Sequence, residues 1–213
     1  MIDLTPNIIL SKPQLGENIG STARAMKNFG IEKLRLIEPR DGWPNSSAYA
    51  ISAGADDVLN KINVYKSLEE ATKDISLLFA TTARKRVIGT KPLDVFEAID
   101  KSFHHVVNGG QVGFLFGPEQ SGLSNDDVVQ ADYTISIPLN QNFSSLNLSQ
   151  AVLLICWEWN KVKMSHFKED NLPIKVNKKL KKSTEISNVG DREYFYQQLD
   201  FLLSKSGFFH SPE

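Results

Sequence analysis

The chain has 213 residues, a formal net charge of −1 and 41% hydrophobic residues, which suits one domain of about 150 residues plus an extension. That charge excludes a globally basic nucleic-acid binder, so any RNA contact must come from local patches. One cysteine excludes an intrachain disulfide and a thiolate-rich metal site, and no apolar run is long enough to cross a membrane.

In chain order, apolar runs at 7–10, 34–37, 77–80, 112–116 and 134–137 read as strands, with helical stretches between them. The first helix is expected over 17–29, where Ile19, Ala23, Met26 and Phe29 share a face and Gly30 supplies the stop. Further helices are expected over 46–53, 68–73, 93–98 and 126–130, the last opened by a capping box of Ser124 and Asp127. Strands alternating with helices predict an α/β fold, a mainly parallel sheet flanked by helices. The stretch 148–162, with Trp157 and Trp159, is apolar nearly all round and must be covered on more than one side. Either the sheet covers one side and a second subunit the other, or burial is wholly intrachain. Cys156 lies within this run and reads as packing.

Composition shifts after Lys163. The expected organisation is a domain over 1–164, a basic linker over 165–190 and a partial helical extension over 191–213, with Phe195, Leu199, Leu202 and Leu203 on one face of its helix. The N-terminus, Met1-Ile2-Asp3-Leu4-Thr5-Pro6, lacks the pattern of a signal peptide, so a cytoplasmic protein is expected. His104, His105 and His166 lack metal-ligand spacing and read as surface residues.

Two blocks carry the functional signal. Phe116-Gly117-Pro118-Glu119-Gln120-Ser121-Gly122-Leu123 follows one strand and precedes a helix, the order in which open α/β sheets bind ligands. Phe143-Ser144-Ser145-Leu146-Asn147-Leu148-Ser149 follows another strand and opens the long apolar helix. Glu119 between two glycines is either an exposed loop carboxylate or a site carboxylate on backbone that approaches a ligand closely. Ser144, Ser145 and Asn147 are candidates for capping the next helix as well as for a site. Asn18 opens the first helix and Arg24 lies about two turns in, where a surface salt bridge is the alternative to a site role. Gly16-Glu17-Asn18-Ile19-Gly20-Ser21 lacks the lysine of a phosphate-binding P-loop. Two basic patches stand out: Arg84-Lys85-Arg86 at a strand end, and Lys175, Lys178, Lys179, Lys181 and Lys182, which read equally well as a solvated linker.

Together the blocks resemble the SpoU-type branch of the SPOUT RNA methyltransferases over roughly 7–163. Asn18, Gly20 and Arg24 match the first family motif, Phe116 to Leu123 the second, and Ile137-Pro138 with Ser145-Leu146-Asn147 the third. Within that branch, Glu38-Pro39-Arg40, Thr81-Thr82-Ala83-Arg84 and Asn142-Phe143-Ser144-Ser145-Leu146-Asn147 are similar to a subgroup acting on nucleotide 32 of the tRNA anticodon loop. Pro118 departs from it, standing where many relatives carry Arg, and the C-terminal extension is shorter than theirs. The resemblance implies a C-terminal trefoil knot, a homodimer with the site near its interface, and S-adenosylmethionine as methyl donor without metal. It implies 2′-O-methylation of a tRNA ribose, by in-line attack of the 2′-hydroxyl on the sulfonium methyl. Another tRNA position, rRNA, or a non-catalytic RNA-binding module with the same fold are the alternatives. By the same resemblance Thr81, Thr82, Ala83, Gly117, Gly122, Leu123, Ile137, Leu139, Ser144, Ser145 and Leu146 bind the cofactor. Arg24, Asn18, Glu119, Ser145 and Asn147 form the catalytic set, and Arg24, Arg84, Arg86, Lys178, Lys179 and Lys182 meet RNA.

Overall fold

The computed structural model describes residues 4–82, 92–169, 187–205 and 208. Its strands are β1 (Asn7–Ser11), β2 (Lys33–Ile37), β3 (Asn63–Tyr65), β4 (Leu77–Thr81), β5 (Val112–Phe116) and β6 (Tyr133–Ile135). The helices are α1 (Gly16–Asn28), α2 (Ser46–Ile51), α3 (Asp56–Leu59), α4 (Leu68–Thr72), α5 (Val95–Val107), α6 (Asn125–Val129), α7 (Leu148–Glu169) and α8 (Val189–Lys205). The six strands form one sheet in the order β3-β2-β1-β5-β4-β6, every neighbouring pair parallel.

Strand alternation builds a core on each face. Ile8, Leu10, Leu34, Leu36, Phe79, Phe114 and Phe116 point to one side, where α1, α5 and α7 supply Ile19, Met26, Phe103, Ile155 and Trp159. Ile9, Leu78, Ala80 and Leu115 point to the other, met by Leu68 and Ala71 of α4, Val128 of α6 and Val189 of α8. The expected α/β sheet with helices on both faces is thus what forms.

Several boundaries differ from the sequence reading, each for a physical reason. β3 is a three-residue edge strand whose Asn63 and Val64 are exposed, so no apolar run marks it. α5 continues past 98 because Ile99, Phe103 and Val106 extend its buried stripe. α7 runs to Glu169, past residue 165 where the linker is expected to begin; α8 begins at Val189, while its expected stop, Gly207, lies outside the described residues. Among the described residues the burial of α7 is incomplete: Val152, Ile155 and Trp159 are buried, yet Trp157 is 49% exposed beside exposed Leu153 and Leu154. Cys156 is buried as expected, and desolvation pushes its thiol pKa up to about 12.

The histidine reading also needs correction. His105 is half-buried, with Nε2 2.8 Å from Ser76 Oγ, and desolvation lowers its pKa below the usual value. His166 stacks on Phe103, ring centroids 4.7 Å apart.

Candidate active site

Parallel strands bring the loops after β1, β4, β5 and β6 to one rim. The chain runs outward from β1 through β2 to β3, while β5, β4 and β6 occupy the other half, so the order reverses between β1 and β5. Open α/β sheets bind ligands at such a reversal. Here a cavity of about 340 Å³ opens, within the size range of small-molecule sites.

Ten of the residues expected to bind a cofactor line it: Thr81 and Thr82 at the end of β4, Gly117, Gly122 and Leu123 after β5, Ile137 and Leu139 beyond β6, and Ser144, Ser145 and Leu146 before α7. Ala83 lies outside the described residues. Gly117 is required by close approach, since a Cβ there would stand 2.2 Å from the Leu123 amide nitrogen and 2.4 Å from the Gly122 carbonyl carbon. Gly122 closes the turn in the left-handed region at φ +63°, its amide donating to the Pro118 carbonyl at 2.8 Å.

A hydrogen-bonded line joins the three motifs beside the cavity, where Glu119 is the member that lines it. Asn147 accepts from the Ser149 amide through Oδ1 at 2.9 Å, so it is the residue that caps α7. Its Nδ2 donates to Asn18 Oδ1 at 2.9 Å, and Asn18 Nδ2 donates to Glu119 Oε1 at 2.8 Å. Glu119 also accepts from the Gln14 amide at 2.8 Å and the Leu15 amide at 3.3 Å. Leu15, at the N-cap of α1, has no side chain able to cap. A carboxylate from the β5 loop therefore takes up free amides just before the helix and faces its positive end.

Glu119 does not pair with Arg24. Arg24 is exposed on α1, about 9 Å along the axis from Asn18, outside the cavity, and no side-chain hydrogen bond or ion pair engages it among the described residues. The sequence reading passed over Arg40 as a source of charge here. Its guanidinium pKa is raised first by the hydrogen bond to Asp41, with the negative charges of Glu119 and Glu17 adding to it. The Arg40 amide donates to the Pro13 carbonyl at 3.1 Å, tying the loop after β2 to the loop after β1. Arg84, Arg86, Lys178, Lys179 and Lys182 lie outside the described residues. A second depression at the amino ends of β1 and β2 contains Arg35, whose guanidinium is already taken up by Asp74, Asn7 and the Ala71 carbonyl.

A parallel sheet with a glycine-bearing loop cavity at its carboxyl rim is the frame of a ligand-binding α/β protein, and the chain belongs to the SpoU rRNA Methylase family, which matches residues 5–157. The methyl donor of SpoU methyltransferases is S-adenosylmethionine. Over 203 residues the chain is 36% identical to the tRNA (cytidine/uridine-2′-O-)-methyltransferase TrmJ of Yersinia pestis (strain Pestoides F), a match covering 94% of this chain and 76% of that relative. The crystal structure of TrmJ from Z. mobilis ZM4 is similar with a TM-score of 0.79 and 40% identity, over 97% of this chain and 83% of that one. The SpoU methyltransferase AviRb from Streptomyces viridochromogenes, solved in complex with AdoMet, shares the fold at TM-score 0.62 and 24% identity, over 76% of this chain and 58% of that one.

Proposed function

We propose that the chain methylates the ribose 2′-hydroxyl of a cytidine or uridine in tRNA, at nucleotide 32 of the anticodon loop. The observation that carries this reading is the line Asn147–Asn18–Glu119, which ties the three motifs together beside the cavity that Glu119 lines. The cavity's chemistry suits S-adenosylmethionine: hydroxyls of Thr81, Thr82, Ser144 and Ser145 for polar edges, side chains of Ile137, Leu139 and Leu146 for an adenine face, and backbone laid open by Gly117. When bound, the cofactor supplies a methyl on a cationic sulfur, a leaving group that needs no metal activation.

The chain's own residues then position and stabilise. Asn18, Ser145 and Asn147 orient the ribose, and Glu119 fixes Asn18. Arg24 holds the adjacent phosphate and stabilises developing charge on the attacking oxygen; a guanidinium is effectively always protonated and is a poor base. Because Arg24 lies outside the cavity of one chain, the substrate or a second chain must bring the two together. Arg40 adds an exposed guanidinium on the same rim, and Arg84, Arg86, Lys178, Lys179 and Lys182 track phosphate. The same reading includes a trefoil-knotted backbone and a cytoplasmic homodimer. Exposed Leu153, Leu154 and Trp157 on α7 support the dimer. Among the described residues no helix is long and apolar enough to cross a membrane.

Incubation with unmodified total RNA and cofactor, followed by mass mapping of methylated nucleotides, tests the proposal. The expected product is a 2′-O-methylpyrimidine at position 32. Methyl groups mapped to another tRNA position or to rRNA overturn the assignment of target, and no transfer to any RNA overturns the activity.

A further inference from the structure

Away from the strand rim, two helices bring Asp100 and His104 together with His166, which lies 62 residues beyond His104 in the sequence. Asp100 and His104 stand four residues apart on α5 and so share a face. His166 reaches them from the last turns of α7, which packs against α5. One ligand-type atom from each of the three lies within 4.8 Å of the others. His104 Nε2 is already 3.8 Å from Asp100 Oδ1, and the two imidazole rings meet edge to face with centroids 5.4 Å apart.

We propose that Asp100, His104 and His166 bind a divalent transition metal of the zinc type. Two imidazoles and a carboxylate make a donor set suited to zinc, with water completing a tetrahedron. Donor atoms of such a tetrahedron stand about 3.4 Å apart for metal–ligand distances near 2.1 Å, so the three need close by little more than an ångström. His104 and Asp100 are about half-exposed and have room to do so. His166 is the fixed member, its ring laid on Phe103 at an interplanar angle of 22°. Among the described residues neither imidazole has a side-chain hydrogen bond; the only polar approach is the long Asp100–His104 pair, which leaves ring nitrogens open to an ion.

Position decides what the ion does. His166 lies 18 residues beyond the start of α7, about 27 Å along the axis from the end that Asn147 caps. The metal therefore fastens α5 to the far end of α7 and takes no part in methyl transfer. The bound ion stabilises the folded chain by mass action, since the unfolded chain lacks the assembled site.

The test is a zinc titration of untagged, chelator-treated protein at about pH 7.5. Calorimetry should give one zinc per chain in the micromolar range. At roughly a hundredfold excess over Kd, Tm should rise by about 5–10 °C. His104→Gln removes one ligand at an exposed site, and His166→Phe removes another while keeping the ring on Phe103. Each should weaken zinc binding beyond the roughly 10–100-fold that loss of a ligand's outer hydrogen-bond partner costs. Affinity for S-adenosylmethionine should stay unchanged in both variants. Absence of zinc binding at high micromolar metal overturns the proposal, as does binding that survives in both variants.

Discussion

At the scale of single residues, Glu119 does two jobs with one carboxylate. It accepts from two amides just before a helix whose N-cap offers no capping side chain, and it fixes the Asn18 side chain. Glu119→Ala strands three N–H donors and should lower stability by about 1–3 kcal/mol in urea unfolding, along with a loss of methyl transfer. Arg24→Ala should leave stability and cofactor affinity nearly unchanged while single-turnover methylation falls by roughly 10²–10³. Arg24→Lys should rescue little, because an ammonium cannot reproduce the planar fork. Arg35 and Asp74 pose a pH question. The hydrogen bond from the Arg35 guanidinium holds the Asp74 carboxyl below its usual value of 3.8. A depressed folded pKa means stabilisation that is complete above the unfolded value and lost as pH falls through the folded one. The Asp74 side chain is 60% exposed, so solvent screening limits the effect to about 1 kcal/mol or less. The Tm difference between the wild type and Asp74→Asn should be full near neutral pH and shrink below about pH 4.

At the scale of elements, the β5 loop shows how little room the cavity wall leaves. Gly117 faces backbone rather than flexible side-chain ends, so an added methyl must displace the 122–123 peptide. Gly117→Ala should cost about 1–3 kcal/mol and abolish measurable cofactor heat, checked by thermal unfolding and calorimetry on the same preparation. Exposed α6 keeps its own capping box of Ser124 and Asp127, with reciprocal bonds of 3.0 and 2.9 Å. That helix start was legible because both partners lie within one turn. The cap of α1 was not, because its acceptor lies 104 residues away from the Leu15 amide.

At the scale of the whole molecule, α7 links the site to the surface. Its first turn is held by Asn147 at the cavity, and its middle exposes Trp157, packed edge-on against Phe29 at 5.9 Å. Trp157→Glu places a charge on that apolar face, which a dimer would have to bury unpaired. Light scattering should show a dimer for the wild type and a monomer for the variant. A wild type that stays monomeric at every accessible concentration removes the homodimer from the reading.

The alternation of apolar runs with helical stretches determined the α/β class, and the glycine spacing around Glu119 pointed to a loop at a strand end. Those signals are local: a strand's period, a helix's face and a tight turn each depend on a few neighbouring residues. The edge strand β3 left no such trace, because exposed Asn63 and Val64 carry no apolar pattern. Only tertiary structure decided that Glu119 engages Asn18 and backbone amides rather than Arg24, that Asn147 is the cap of α7, and that His166 meets Asp100 and His104. Each of these joins groups across many residues, and hydrogen-bond reach of about 3 Å is set by packing that sequence spacing does not encode.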